Sequence, residues 1–287
     1  MKVILKKIEP YLYLTPCLLG FWIFMFFPFL KTIFLSFNIT NANGEAVEFV
    51  GFDNYKELFL SSDFLNSIQI TIKFVAITAI PAIIIGLILA VLANRKFKGN
   101  NVFEVMFAMP MAVSSSAAAV VWMLLFHPSI GIINYLIKAQ IGWLTDEKLA
   151  LFSVALVTVW LNIGLNFIFI LTGLKNIPDE LNESAQIDGA SKILKFFRLT
   201  LPLISPTLFF VVFINMVNSF QSFAQIKLLT SGGPANSTNV IVHEIYREAF
   251  FNNRFETACA ESIVLFFIIF LITLIQFGFE KKGVFYS

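Results

Sequence analysis

Glu183-Ser184-Ala185-Gln186-Ile187-Asp188-Gly189-Ala190 opens a polar stretch that continues through Pro206 and separates two apolar runs. Pro178 precedes it and suits the first turn of a helix, where the nearby acidic side chains complement the helix dipole. Gly189 can take the left-handed conformation that ends a helix, and Ser191 can cap another. The stretch therefore predicts a short helix, a glycine turn and a second short helix that Pro202 ends.

The stretch also carries more apolar surface than a solvated loop needs. Its apolar members are Ala185, Ile187, Ala190, Ile193, Leu194, Phe196 and Phe197. A contiguous apolar surface outside the bilayer core is typical of a protein docking site. An amphipathic linker that lies on the membrane surface explains the same pattern, and the residues alone leave both interpretations open.

The composition is that of an integral membrane protein. The chain is 58% hydrophobic and 13% charged, with a mean hydropathy of +0.82, whereas soluble domains have about 25% charged residues. The net charge of +2 gives no reason to expect a nucleic-acid partner. Cysteine, histidine, aspartate and glutamate show no metal-ligand spacing. We therefore predict no catalytic, cofactor-binding or metal site in this chain.

Six apolar runs are long enough to cross a bilayer, which takes about 20 helical residues. They cover approximately residues 11–37, 67–93, 102–126, 150–174, 203–228 and 257–279. The first run is too long for a cleaved signal peptide and is expected to be a retained anchor. Pro81 and Pro110 are expected to kink their helices. The sequence predicts an all-α membrane protein with a single transmembrane domain, residues 1–287, and a polar loop at about 175–202.

Lysine and arginine are unevenly divided between the two alternating sets of loops. Twelve lie in the set that contains both termini, the loop with Arg95, Lys96 and Lys98, and the loop around Glu183. Five lie in the opposite segments, 38–66, 127–149 and 229–256. Because positive charge is retained on the cytoplasmic side, both termini and the Glu183 loop are predicted to be cytoplasmic.

Polar side chains follow one face of each of two predicted spans. Thr158, Asn162 and Asn166 recur every four residues in the fourth span, and the fifth span contains Asn215, Ser219 and Ser222. Polar groups inside a membrane are costly and often mark a transport path. We therefore predict that Asn162, Asn166, Asn215, Ser219 and Ser222 line a substrate pathway. Interhelical hydrogen bonding is the alternative interpretation.

Three ionisable residues lie in or near the predicted spans, and each is expected to reach polar surroundings. Lys73 is expected to reach the outer surface along its aliphatic stem, with attraction of an anionic solute as the alternative. Glu104 and Glu261 lie near the ends of spans and are expected to reach interfacial water or a partner.

The run Glu183-x-Ala185-x-x-Asp188-Gly189-Ala190, followed by aromatic residues and Leu201-Pro202, resembles the EAA loop of the membrane subunits of binding-protein-dependent ABC importers. Ser184 departs from that pattern, since the family usually has alanine there. The resemblance extends through residues 50–55, 228–235 and 245–250, and covers nearly the whole chain. It is strongest to the carbohydrate branch, and within it to the first permease subunit of glycerol-3-phosphate and related sugar importers.

The resemblance implies a type I importer permease (MetI-like) fold in a bacterial-type cytoplasmic membrane. It implies translocation of a carbohydrate or polyol-type solute, a sugar or sn-glycerol 3-phosphate, by ATP-driven alternating access. The implied partners are a second permease subunit, two cytoplasmic ATPase subunits that bind the ATP, and an extracytoplasmic solute-binding protein. The implied ATPase-coupling residues are Glu183, Ala185, Asp188, Gly189 and Ala190.

Two other functions are alternatives to this one. An ABC permease for a different small polar solute would have the same loop. An ion-coupled secondary transporter would need a coupling-ion site near the midplane, and no aspartate or glutamate lies centrally in a predicted span. Ser231-Gly232-Gly233-Pro234 predicts a turn and not a phosphate-binding loop, because no Gly-Lys-Ser/Thr comes after it.

Overall fold

The computed structural model describes residues 2–95 and 99–283. Lys96 and Lys98 of the charge count lie outside the described residues. Backbone contacts divide the chain into two units. The first comprises Met1–Leu65 and Glu244–Phe267, and the second comprises Asn66–His243 and Ile268–Ser287. The expectation of one permease domain stays a prediction.

The N-terminal part of the chain is helical except for one short hairpin. Its elements are α1 (Lys2–Phe21), a π-helical turn (Trp22–Phe26), α2 (Phe27–Ser36), β1 (Asn38–Thr40), β2 (Ala46–Phe49), α3 (Asp53–Leu60) and α4 (Ser62–Ala93). The π turn ends two residues before Pro28, which has no amide hydrogen to continue the α-helical pattern. The strands pair antiparallel, with Asn38 opposite Phe49.

The middle of the chain contains the first strong bend. Its elements are α5 (Asn100–Ala108), a 3₁₀ turn (Met109–Ala112), α6 (Ser115–Leu125), α7 (Ile132–Ile137) and α8 (Ala150–Lys175). The predicted span 102–126 is not a straight helix, since its two halves meet at 100°. Pro110 lies in the 3₁₀ turn just before the bend, and the Ser114 side chain then caps α6 by accepting the Ala117 N–H at 3.2 Å.

The C-terminal part holds the polar loop around Glu183. Its elements are α9 (Asp179–Ile187), α10 (Lys192–Lys195), a π-helical turn (Phe196–Thr200), α11 (Leu201–Leu203), α12 (Ser205–Phe220), α13 (Ala224–Leu229), α14 (Ile241–Phe250) and α15 (Phe255–Gly283). The prediction that Pro202 ends the second helix is wrong. Pro202 lies within the first residues of α11, and helical structure continues to Leu203. The helices on either side of Ile204 meet at 70°.

Four described helices are long and apolar enough to cross a membrane. The number of candidate spans rises to six if each of the two bent helix pairs counts as one span. The four that qualify on their own are Tyr13–Ser36, Ser62–Ala93, Ala150–Lys175 and Phe255–Glu280. Pro81 lies inside the second of these without interrupting it. The predicted fifth span was too long at its end, since α12 stops at Phe220 and α13 begins at Ala224.

Small side chains allow the helices of the second unit to pack closely around α8. One buried cluster joins Ala118 and Ala119 of α6 to Val154 and Ala155 of α8. Gly164 of α8 meets the 3₁₀ turn, because a Cβ there would lie 2.9 Å from the Ala108 carbonyl oxygen. Close approach through small residues is the usual packing mode of membrane helices. α8 is thus the central helix against which the site is built.

Candidate coupling loop and transport path

The first helix of the loop forms as predicted and begins after Pro178. Asp179 and Glu180 lie in its first turn, where negative charge complements the exposed amide groups. The Ser184 hydroxyl donates to the Glu180 carbonyl oxygen at 2.9 Å. Glu183 and Ala185 both lie on this helix, where Glu183 is exposed and Ala185 is half-buried. Glu183 and Ala185 of the motif therefore lie on one short helix whose N-terminus is stabilised by acidic side chains.

Gly189 makes the turn between the two helices, and its φ of +72° confirms the predicted left-handed conformation. The Gly189 N–H donates to the Gln186 carbonyl oxygen at 3.1 Å, and the Ala190 N–H donates to the Ala185 carbonyl oxygen at 3.0 Å. This pair of bonds is the Schellman arrangement, which satisfies the last carbonyls of a helix. Asp188 precedes the turn and is exposed.

Ser191 caps the second helix as predicted, since its hydroxyl accepts the Leu194 N–H at 3.2 Å. On both sides of this cap, large apolar side chains of the loop are exposed. Ile187 is 86% exposed, Ile193 is 73% exposed and Phe197 is 60% exposed. An exposed apolar cluster beside polar and charged residues is the type of surface that a protein partner covers.

The base of the loop is held by the second unit. Ile204, at the 70° bend, is buried in a cluster that also contains Phe167 and Leu171 of α8. Lys175 at the end of α8 pairs with Glu104 of α5, with 2.7 Å between Nζ and Oε1. Glu104 therefore meets a cation of its own chain. The exposed tip of the loop is thus connected to a buried hinge.

The buried polar centre of the second unit is a pair of asparagines. The Asn166 amide donates to Oδ1 of Asn215 at 3.1 Å, and the Asn215 amide donates to Oδ1 of Asn166 at 2.6 Å. The Asn215 amide also donates to the Val211 carbonyl oxygen at 2.7 Å. Both side chains are buried, and they join α8 to α12. The interhelical bonding left open by the sequence is thus present in this conformation.

The packing around this pair leaves no room for a side chain at Gly86 of α4. A Cβ at Gly86 would lie 2.7 Å from the Asn166 Cβ. Ser219, one turn beyond Asn215, contacts Thr78 of α4 at 3.0 Å between the two hydroxyl oxygens. Sequence reasoning missed Thr78 and Gly86. The available signal was Thr71 and Thr78, which are seven residues apart and share one face of α4.

Ser222 does not continue the stripe that was predicted on the fifth span. α12 ends at Phe220, and Ser222 lies in the link to α13, where its hydroxyl donates to Oε1 of Gln225 at 3.1 Å. The sequence has neither glycine nor proline between residues 217 and 228, so the apolar pattern gave no sign of the break. Thr158, Asn162 and Asn166 do lie on one continuous helix. Thr158 is buried and Asn162 is half-buried.

Two charged residues near the spans differ in their surroundings. Lys73 is exposed and lines a polar cavity with Asp146, Glu147 and Lys148. This placement fits the expected reach toward polar surroundings. Of the two surroundings expected for Glu261, interfacial water is wrong, because its side chain is only 1% exposed, and a partner stays a prediction. The described residues contain no group of three or more His, Cys, Asp or Glu that could hold a metal ion.

Comparisons with known proteins agree on the family. Residues 82–282 match the family described as "Binding-protein-dependent transport system inner membrane component". The sn-glycerol-3-phosphate transport system permease protein UgpA of Agrobacterium fabrum is 34% identical over 286 residues, 98% of each chain. The Yersinia pestis protein of that name is 36% identical over 282 residues, 97% of this chain and 96% of the relative.

Solved structures have the same fold. A chain of a bacterial ABC transporter that imports the acidic polysaccharide alginate superposes with a TM-score of 0.86 at 24% identity, over 97% of this chain and 98% of that one. The methionine ABC transporter MetNI gives a TM-score of 0.57 at 12% identity, over 77% of this chain and 96% of that one. The fold is that of type I ABC importer permeases, as the resemblance to the EAA-loop family implied. The chain belongs to the family of inner membrane components of binding-protein-dependent transport systems.

Proposed function

We propose that this chain is one of two permease subunits of an ABC importer and moves a carbohydrate or polyol-type solute, sn-glycerol 3-phosphate or a sugar, across the cytoplasmic membrane. Relatives named as sn-glycerol-3-phosphate permeases, aligned over nearly their full length, support this class of solute. The polar groups near the centre of the second unit are amides and hydroxyls, which also suit a hydroxylated solute.

The proposed partners are a second permease, two cytoplasmic ATPase subunits and an extracytoplasmic solute-binding protein. The observation that carries the ATPase assignment is the loop tip, where Ile187 and Ile193 are exposed on either side of the glycine turn. In this assignment both termini are cytoplasmic. The ATPase subunits bind and hydrolyse the ATP, while this chain performs no covalent catalysis and holds no cofactor.

The connections within the second unit supply a mechanical route from the loop to the path. The helical segment Lys192–Leu203 meets α12 at Ile204, which is buried and fixes the bend. α12 carries Asn215, which is bonded to Asn166 of α8. When the ATPase subunits close on ATP, a push on the loop would turn α12 against α8. The proposed path is lined by Asn162, Asn166, Asn215 and Ser219, while Ser222 lies beyond the end of α12, in the link to α13.

Two substitutions in the loop test the coupling. Glu183→Lys reverses the charge that would face a basic residue of the ATPase. Gly189→Val forces a β-branched residue to a φ of +72°, which is a strained outlier. We expect ATP hydrolysis by either reconstituted variant to lose its stimulation by solute-loaded binding protein, and solute uptake to stop. The measurement is ATPase activity and uptake in the same vesicles.

Each variant has a matched control. Glu180→Lys makes the same charge reversal nearly one turn earlier on the same exposed helix, outside the motif, and should keep stimulation. Gly189→Asn should retain much of the activity, because asparagine tolerates the left-handed conformation. Wild-type stimulation in both Glu183→Lys and Gly189→Val would show that the loop is a linker and not the coupling element.

A further inference from the structure

A cavity of about 470 Å³ lies within the first unit and is lined mainly by polar and acidic side chains. It is enclosed by the end of α3, the start of α4, α14 and the start of α15. Five carboxylates line it, from Glu57, Asp63, Glu244, Glu248 and Glu261. All but Glu261 lie in segments that the charge distribution places on the outer side.

Two arginines lie within ion-pair distance of four of these carboxylates, so that negative charge remains in excess. Arg247 lies 2.7 Å from Oε1 of Glu244 and 3.3 Å from Oδ2 of Asp63. Arg254 lies 2.8 Å from Oε1 of Glu57 and 4.0 Å from Oε2 of Glu248. Each guanidinium group therefore serves two acidic side chains. The fifth carboxylate, that of Glu261, has no ion pair among the described residues.

Glu261 is the group that points to a ligand. Its side chain is 1% exposed, and its Oε2 atom is buried without a hydrogen-bond partner in the part of the chain that the structure describes. It lies six residues into α15, about 9 Å along the axis from the helix start. Burying an ionised carboxylate without a partner is costly. The cavity next to it is large enough to admit the missing donor.

The surroundings favour a cation carried on a flexible stem. The cavity opens to the surface, because the side chains of Glu57 and Asp63 at its rim are 70% and 56% exposed. A metal ion would need several ligands converging on one point, and no such group of three exists among the described residues. A guanidinium or ammonium group at the end of a long side chain needs only one carboxylate, which it can reach through a narrow cavity.

We propose that this cavity receives an arginine or lysine side chain of the extracytoplasmic solute-binding protein, and that Glu261 is the carboxylate that pairs with it. This inference rests on the proposed function, which supplies both the partner and the outward orientation of these segments. The excess of acidic groups at the rim steers a basic side chain toward the cavity. The buried carboxylate then holds it.

The test is the affinity of the solute-loaded binding protein for the complete transporter in lipid nanodiscs. Glu261→Gln keeps the shape of the side chain and removes its charge, so the affinity should fall by about tenfold or more. Glu261→Asp keeps the charge and should lie between Gln and wild type. Glu48→Gln, the same change at an exposed position on β2 of the same unit, should leave the affinity unchanged. The Gln variant should assemble normally, because glutamine has nearly the same shape as glutamate and places no charge in the buried site.

The partner residue is identified by a double-mutant cycle. Each surface arginine and lysine of the binding protein is replaced with alanine and measured against wild type and Glu261→Gln. One of them should weaken binding to wild type and have no further effect on the Gln variant. Equal affinities of wild type and Glu261→Gln, or equal alanine effects in both backgrounds, would overturn this inference alone. If the wild-type complex binds no solute-binding protein, the proposed function is wrong and the inference falls with it.

Discussion

At the residue scale, the asparagine pair shows how a polar group is kept inside a membrane protein. Asn166 and Asn215 exchange two hydrogen bonds while buried, so neither amide meets lipid. The spacing of four residues predicted that each asparagine lies on a polar face of its helix. It could not predict that the two would meet, because partner choice depends on how α8 and α12 cross. The contact between Ser219 and Thr78 could not be predicted either, since Thr78 lies 141 positions earlier in the chain.

Substitution of the pair separates a transport role from a structural one. Asn215→Leu leaves the Asn166 amide without its partner on α12 and should lower the melting temperature of the complex, because an unsatisfied buried amide costs about 1–3 kcal/mol. The double variant Asn166→Leu with Asn215→Leu removes both partners and should recover stability. If these amides line the path, uptake by the double variant should still fall by about tenfold, a loss of about 1.4 kcal/mol in transport efficiency.

The measurements are the melting temperature and the uptake rate of the same reconstituted samples. Asn162→Leu, on the same helix one turn away and only half-buried, should lower uptake with little change in melting temperature. Normal uptake by the recovered double variant would make the pair an interhelical clamp and remove it from the path.

At the element scale, the two prolines behave differently although each lies in an apolar run. α4 continues through Pro81 for its whole length, whereas Pro110 precedes a 100° bend. The difference lies in the residues after each proline. Ser114 caps a new helix four residues after Pro110, while the six residues after Pro81 include no serine, threonine, aspartate or asparagine. Length and hydropathy predicted that six segments are apolar enough to span. The bends depend on local caps and contacts that hydropathy does not record.

The bend after Pro110 depends on a close contact between elements, which a matched pair of substitutions tests. A Cβ at Gly164 would lie 2.9 Å from the Ala108 carbonyl oxygen and 3.1 Å from the Met111 nitrogen, backbone atoms that cannot move aside freely. Gly164→Ala should therefore lower the stability by about 1–3 kcal/mol through overpacking. Gly278→Ala in α15 meets no atom within 4 Å and should leave the stability unchanged or raise it through helix propensity.

The measurement for this pair is the melting temperature of the purified complex. Gly164→Ala is expected to lower it and Gly278→Ala is not, although the chemical change is identical. A rise in melting temperature for Gly164→Ala would mean that α8 and the 3₁₀ turn are not in close contact.

At the scale of the whole molecule, the loop with its exposed apolar tip and the acidic cavity lie in segments that the charge distribution assigns to opposite sides of the membrane. The loop and its glycine turn could be predicted in detail, because caps, turn and dipole charges are local features. The cavity could not be predicted, since its carboxylates come from four helices, two of them distant in the sequence from the other two. A permease that binds partner proteins on both sides of a membrane needs a docking surface on each side.

The assignment of the two sides is itself testable by cysteine labelling. Cys17 and Cys259 are replaced with serine, and single cysteines are placed at Glu147, exposed in a predicted outer segment, and at Lys192, exposed in the loop. Because positive charge is retained inside, a membrane-impermeant maleimide added to intact cells should label Glu147→Cys and spare Lys192→Cys. After permeabilisation both positions should react. A membrane-permeant maleimide serves as the control for reactivity, since it should reach both in intact cells. Labelling of both positions by the impermeant reagent in intact cells would place the loop outside, and neither ATPase docking at Ile187 nor the outward-facing cavity at Glu261 could then stand.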